Sequence, residues 1–463
     1  MFPSRTVSPM TSFWHPFADM SAVGGNELLL ASGKGAWVRS VDGRDFYDVT
    51  AGLWYCNVGH GRAEIAEAVA RQLTTLASYS SFGDLATPVT MELADRVAAL
   101  APMAGAKVFF TSGGSDSVDT AFKLVRHFWQ VTGHPERTVV ITRDRSYHGM
   151  HFGGTSLAGI PANRQGYGPL EPGIVNVPWD DAEALAATID DIGAERVAAF
   201  YCEPVIGAGG VYPPPAGYLE AVREICRERG VVFIADEVIT GFGRTGRWFG
   251  SEGLDPDLVL TAKGLTSGYV PMGAVLVGER VSEPFWKHSG HLWRHGYTYS
   301  GHAGAAAAAA VNLDIMERES LVDHVSLLEL ALTAALIDLR DHSWVSEVRI
   351  GGGLLAAVTL TPEVLAVSSS MPELLAAMRE RGFLTRALAD GSLQISPSFV
   401  TTREELQGLG QAIDESLTSV GSTRESRAGG SAPLLPDITS DEAGGFGSSD
   451  ARLLAEVPPH HGN

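Results

Sequence analysis

Between about residues 60 and 300, short apolar runs alternate with longer stretches of helical spacing. The runs are Lys107–Thr111 (KVFFT), Thr138–Thr142 (TVVIT), Val197–Tyr201 (VAAFY), Val231–Ala235 (VVFIA), Leu258–Thr261 (LVLT) and Ala274–Val277 (AVLV). They are rich in Val, Ile and Phe and largely lack polar alternation, which predicts strands covered on both faces. Asp181–Ile192 and Tyr218–Arg229 set apolar residues at helical spacing among strong helix formers. Alternating strand and helix predicts an α/β domain on a mostly parallel sheet flanked by helices; for any single run a buried helix is the competing reading.

The pattern changes after the alanine run Ala305–Ala310. Ala303–Arg340 reads as one or two long helices, and Val345–Leu360 and Gly382–Phe399 read as strands around a further helix. The expected layout is a large domain over 61–302 and a smaller α+β domain over 303–420, joined by the N-terminal segment 1–60. From about Gly421 the chain turns to Gly, Ser, Pro and Asp. Such a stretch buries too little apolar surface to offset its ordering entropy, so 421–463 is expected to be a disordered tail.

Bulk properties narrow the function classes. At 463 residues the chain exceeds one ordinary core, in keeping with two packed domains. A net charge of −20 opposes the basic field that nucleic-acid binding needs. Cys56, Cys202 and Cys226 form no CxxC pair, as expected of reduced thiols. No basic-then-apolar leader and no membrane-length apolar run is seen, so a soluble, cytoplasmic protein is expected.

Candidate chemistry gathers where strands end. Asp236 follows a buried strand, where ligands of open α/β sheets bind, although a helix cap or ion-pair partner is an equal reading. Lys263 follows Leu258–Thr261 within TAKGLTSG; alone it reads as an exposed turn lysine. Ser112-Gly113-Gly114-Ser115 joins a strand to the helical stretch Val118–Trp129, so its N–H groups form either an anion cradle or an ordinary capped turn. An amine, a carboxylate and an anion cradle at one sheet edge match the needs of pyridoxal phosphate (PLP). Two other signals are set aside. Gly241–Gly246 (GFGRTG) spells a dinucleotide fingerprint but opens no helix, and His288, His291, His295 and His302 lack a metal-site framework, so no metal is expected.

Up to the tail, these residues resemble the class III aminotransferases of PLP fold type I. The likeness is carried by DEVITGFGRTG at Asp236–Gly246 with TAKGL following, Lys263 standing 27 residues after Asp236. SYHG at Ser146–Gly149, EPVIGAGG at Glu203–Gly210 and HGYTYSGH at His295–His302 add to it. AGLWYCNVGHGR at Ala51–Arg62 is most similar to the ω-amino acid and amine–pyruvate aminotransferases. The resemblance implies that Lys263 carries PLP covalently and shuttles the proton, and that Asp236 pairs with the ring nitrogen, supported by Glu203. Gly114 and Ser115 would hold the phosphate. Tyr147 would stack on the ring with His148 nearby, and Val238 would pack on its other face. Thr298 would reach the partner subunit's phosphate, making a homodimer obligatory for a complete site and leaving a tetramer open. Trp54 would line the substrate pocket, and Arg386 would bind a substrate carboxylate, a task suited to its forked donors.

The activity so implied is ping-pong transfer of an amino group from an ω-amino acid or primary amine to a keto acid, pyruvate foremost. A decarboxylase or aminomutase on the same fold needs the same lysine, aspartate and cradle; a non-catalytic relative is the reading from another class. The chain departs from the family pattern at Gly113 and Asp116, where Ser and Glu are common, and at Ala303, where Pro is frequent. VRIGGGLLAAVTL lacks the usual glutamate near Thr359.

Overall fold

The computed structural model describes residues 12–429. In chain order the strands are β1 (Leu30–Lys34), β2 (Trp37–Ser40), β3 (Asp45–Asp48), β4 (Lys107–Thr111), β5 (Val139–Arg143), β6 (Ile174–Val177) and β7 (Val197–Cys202). There follow β8 (Val232–Asp236), β9 (Leu258–Thr261), β10 (Gly273–Val277), β11 (Val345–Ile350), β12 (Ala356–Leu360), β13 (Phe383–Leu384) and β14 (Leu393–Ile395).

Seven strands form the central sheet in the order β4-β10-β9-β8-β7-β5-β6. Every residue of β5, β7, β8, β9 and β10 is buried, which explains their unbroken apolar runs. The edge strand β6 (IVNV) is only partly covered, and its short, polar-interrupted run was not foreseen as a strand. β10 runs antiparallel to both of its neighbours. Only the short segment 262–272 separates β9 from β10, and a parallel return would need a longer crossover. Every other strand of this sheet points one way, so the ends of β4, β5, β7, β8 and β9 share one edge.

Helices cover both faces. Along β7, Tyr201 faces the layer of Val118, Leu124 and Phe128, whereas Phe200 and Cys202 face the layer of Leu185, Val222 and Cys226. Helix Ala182–Ile192 begins where Asp181 accepts the Ala184 N–H at 2.9 Å. The expected helix at Val118 instead begins at Gly114, which puts Gly114 and Ser115 in its first turn.

The N-terminal strands form a separate sheet, β1-β2-β3-β13, in which β3 lies parallel to β13 from near the other end of the chain. Antiparallel β11-β12-β14 and helices Leu321–Leu336, Ser370–Glu380 and Arg403–Gly429 complete the C-terminal part. The last helix runs through 421–429, which composition had placed in the tail. Leu406, Leu409, Ile413 and Leu417 bury its earlier turns, and a helix so anchored propagates into polar sequence one hydrogen bond per residue. The rest of the expected tail, 430–463, lies outside the described residues. No single helix among the described residues is long and apolar enough to cross a membrane.

Arg244, inside the GFGRTG stretch, is wholly buried and joins these parts. It donates to Asn57 Oδ1 at 2.7 Å and to the carbonyls of Pro397, Ser396 and Leu354 at 2.6, 3.1 and 3.2 Å. Its guanidinium also lies 4.7 Å from the centre of the Phe399 ring. The stretch is therefore a structural tie, in keeping with its rejection as a nucleotide fingerprint. Arg244→Ala strands several buried acceptors, and we expect it to cost about 3 kcal/mol, read as a lower urea midpoint.

Candidate active site

Most of the singled-out residues meet at the shared strand edge. Gly114, Ser115, Tyr147, His148, Glu203, Asp236, Val238 and Lys263 all line one cavity of about 420 Å³.

The cradle forms where β4 ends and the helix Gly114–Val131 begins. No side chain caps this helix, so the N–H groups of its first turn are free of side-chain acceptors. A Cβ on Gly114 would lie 2.8 Å from Val238 Cγ1, so only glycine lets the cradle and Val238 approach this closely. Asp116 accepts the Ser112 N–H at 3.0 Å, holding the loop with the shorter acid. Ser115 Oγ accepts the Met150 N–H at 3.2 Å.

Asp236 ends β8 and is nearly fully buried. Its Oδ2 lies 2.7 Å from His148 Nδ1, and its Oδ1 accepts the Val238 N–H at 3.1 Å. The support expected from Glu203 is thus supplied by His148. Glu203 instead accepts the Tyr147 N–H at 3.0 Å with one oxygen and the Gly207 N–H at 3.0 Å with the other, so it fixes the Tyr147 backbone. Burial pushes the Glu203 carboxyl up, partly offset by His148. The second nitrogen of His148 is buried with no hydrogen-bond partner among the described residues.

Lys263 opens the tight turn after β9 with a left-handed φ of 40°. Gly264 follows because a Cβ there would come within 2.4 Å of Asn57 Nδ2. Burial pulls the Lys263 amine down to about 8, opposed by Asp236 and Glu203 and helped by Arg386. Trp54 sits beside it, 5.8 Å from Lys263 Nζ to the ring centre, and packs on Ile239 and Leu388. Arg386 also packs on Trp54: its guanidinium carbon is 4.6 Å from the Trp54 ring centre, and its Nε donates to Gln394 at 2.7 Å.

Thr298 is exposed and does not line this cavity. Tyr55, Ile239 and the segment from Thr266 to Met272 line it without having been foreseen. The Tyr55 ring fills space that a Cβ on Gly52 or Gly268 would invade to 2.3 Å. The glycine in TAKGLTSG was the available signal, but no spacing rule links it to residue 55. The histidine group makes no metal cluster among the described residues. His295 bonds Thr120 at 2.9 Å and Lys123 at 3.0 Å, and burial with the Lys123 charge pulls it down to about 4.

A flat cofactor with an aldehyde, a basic ring nitrogen and a phosphate fits this donor set: a buried amine, a buried carboxylate and an uncapped helix N-terminus that tolerates no Cβ at Gly114. The sequence profile described as aminotransferase class-III matches residues 20–417. The chain belongs to the class III aminotransferases. It is accordingly a PLP-dependent aminotransferase with the sheet and flanking helices of fold type I. Among its relatives, the putrescine–pyruvate aminotransferase of Pseudomonas aeruginosa is 42% identical over 74% of this chain and 80% of its own. The β-alanine–pyruvate aminotransferase of that species is 36% identical over 90% and 98%. The crystal structure of a PLP-bound amine transaminase from an uncultivated Pseudomonas species superposes with a TM-score of 0.83 at 36% identity, covering 89% of this chain and 99% of the other.

Gly114→Ala in this aminotransferase sets a methyl against Val238, and we expect PLP affinity to fall about tenfold with the fold intact, measured by absorbance titration.

Proposed function

We propose that this aminotransferase moves an amino group from an ω-amino acid or primary amine to pyruvate, with Lys263 and Asp236 as its catalytic pair. The observation that carries the reading is the burial of both groups in one cavity beside the cradle. Bound PLP supplies an aldehyde that accepts the amino group and a ring that takes up the electrons left when a C–H bond breaks.

The chain's residues do the rest. Lys263 Nζ would carry the cofactor and move the proton from the amine-bearing carbon; its pKa, lowered to about 8, makes the free base accessible just above neutral pH. Asp236, kept in orientation by His148, holds the proton on the ring nitrogen. Gly114 and Ser115 would bind the phosphate, and Tyr147 and Val238 would pack against the ring. Glu203 keeps Tyr147 in place. Trp54 shapes the donor pocket, and Arg386 meets the carboxylate of an acid substrate. Pyruvate as acceptor rests on the pyruvate-dependent relatives.

A homodimer completes the site in this reading, since the exposed Thr298 is free to serve the partner's cofactor phosphate. A cytoplasmic setting fits the three buried, unpaired cysteines.

Lys263→Ala is expected to remove alanine formation from pyruvate across a panel of amines while leaving the circular dichroism spectrum unchanged; normal turnover would overturn the assignment. Carbon dioxide release without keto acid consumption would mean decarboxylation instead. The pH dependence has a definite sign. Because the Lys263 amine is pulled below its ordinary value near 10.5, its reaction with added PLP should rise through about pH 8 and level off well before pH 10.

A further inference from the structure

Arg386 stands on a tight hairpin whose tip is bolted to the large domain. Gln394 N–H donates to the Arg386 carbonyl at 3.0 Å, Ala387 bridges Leu393, and Leu388 N–H donates to the Ser392 carbonyl at 2.7 Å. Asp390 lies at the tip. Its Oδ2 accepts from Arg349 Nη2 at 2.5 Å, from Tyr212 Oη at 2.8 Å and from Ser392 Oγ at 2.8 Å.

The other side of this junction is the stretch 203–212. It begins at Glu203, which holds the Tyr147 backbone at the cavity, and folds back where Ile206 bridges Tyr212. Ala389 N–H donates to the Ala208 carbonyl at 3.2 Å. Arg349 donates to the Gly210 carbonyl through Nε at 2.9 Å and Nη2 at 2.6 Å. Gly210 has φ 144°, and a Cβ there would lie 2.4 Å from Asp390 Oδ2, so glycine is required for this approach. The Tyr212 ring also has the guanidinium carbons of Arg349 and Arg145 at 4.2 and 4.3 Å from its centre.

We propose that Asp390, held by Arg349 and Tyr212, is a positioning residue that sets the Arg386 guanidinium at the distance and angle needed to receive a substrate carboxylate. The inference rests on the reading of Arg386 as the carboxylate ligand and assigns its orientation to a contact between the two domains. A hairpin bonded only at its base pivots, and a small displacement of a two-pronged donor is enough to lose paired hydrogen bonds. Asp390 is spent on Arg349, Tyr212 and Ser392 and does not line the cavity, so its effect passes through Arg386 and is confined to substrates bearing a carboxylate.

The test uses PLP-loaded full-length enzyme and follows the pyruvate and the amine half-reactions separately, the latter with a monoamine lacking a carboxylate. Asp390→Ala is expected to raise the half-saturating pyruvate concentration about tenfold and to change the amine half-reaction by less than about twofold. Tyr212→Phe, which deletes one hydrogen bond and keeps the ring, should shift pyruvate in the same direction by less. The double variant Asp390→Ala/Arg386→Ala should be no worse with pyruvate than Arg386→Ala alone, because both act through one contact. A selective loss in Arg386→Ala with no pyruvate effect in Asp390→Ala or Tyr212→Phe overturns the positioning role and leaves Arg386 as the ligand. Equal loss of both half-reactions in Arg386→Ala removes that ligand reading, and the inference with it. Equal loss of both half-reactions in Asp390→Ala, additive with Arg386→Ala, makes the aspartate merely structural and overturns the proposal.

Discussion

A buried guanidinium with no carboxylate among its hydrogen-bond acceptors holds the three parts of this enzyme in register. Arg244 leaves the loop after β8 and spends Nη1 and Nη2 on one amide oxygen and three backbone carbonyls, while Nε is buried without a partner among the described residues. One acceptor, Asn57, lies just beyond Trp54 and Tyr55; two others, Ser396 and Pro397, directly follow β14 of the Arg386 hairpin. Tyr55 and the lysine turn line the cavity, so its width on that side depends on this knot. Burying a charge so completely is costly unless its donors are satisfied, and that cost penalises every arrangement in which the parts drift. Asn57 also donates to the Phe242 carbonyl at 3.0 Å and stands where a side chain on Gly264 would have to go. The tie thus extends to the lysine turn.

The site balances charge within this frame. Desolvation favours the neutral amine of Lys263, whereas Asp236 and Glu203 favour the ammonium form. The outcome is an amine with a pKa of about 8, suited to the nucleophile and proton-carrier roles proposed for it. The two acids are themselves kept apart in purpose. Asp236 faces His148, and Glu203 is consumed by two backbone N–H groups.

Much of this was legible one segment at a time. Five of the strands in the central sheet are buried on both faces, as their apolar runs suggest once the alternation with helices sets aside a buried helix for each run. Asp236 and Lys263 each close such a run, and the common direction of β8 and β9 is enough to bring them to one edge. The edge strand β6, half covered and interrupted by Asn176, carries too weak a signal to separate it from loop. Thr298, exposed and absent from the lining of its own cavity, acquires a role only through a second subunit in the proposed dimer.

The sequence by itself determined the α/β layering, the order of the chemical groups along the chain and the family, because periodicity and motif spacing are local properties. Tertiary structure alone decided which distant segments touch. Tyr55 entered the cavity because Gly52 and Gly268 leave room for its ring, and His148 rather than Glu203 became the partner of Asp236. Gly210 was a motif residue with no evident reason until Asp390, far along the chain, came to lie against it. A hydrophobic pattern reports that a position is buried; only the packed chain states against what, since each such contact joins residues with no shared local constraint.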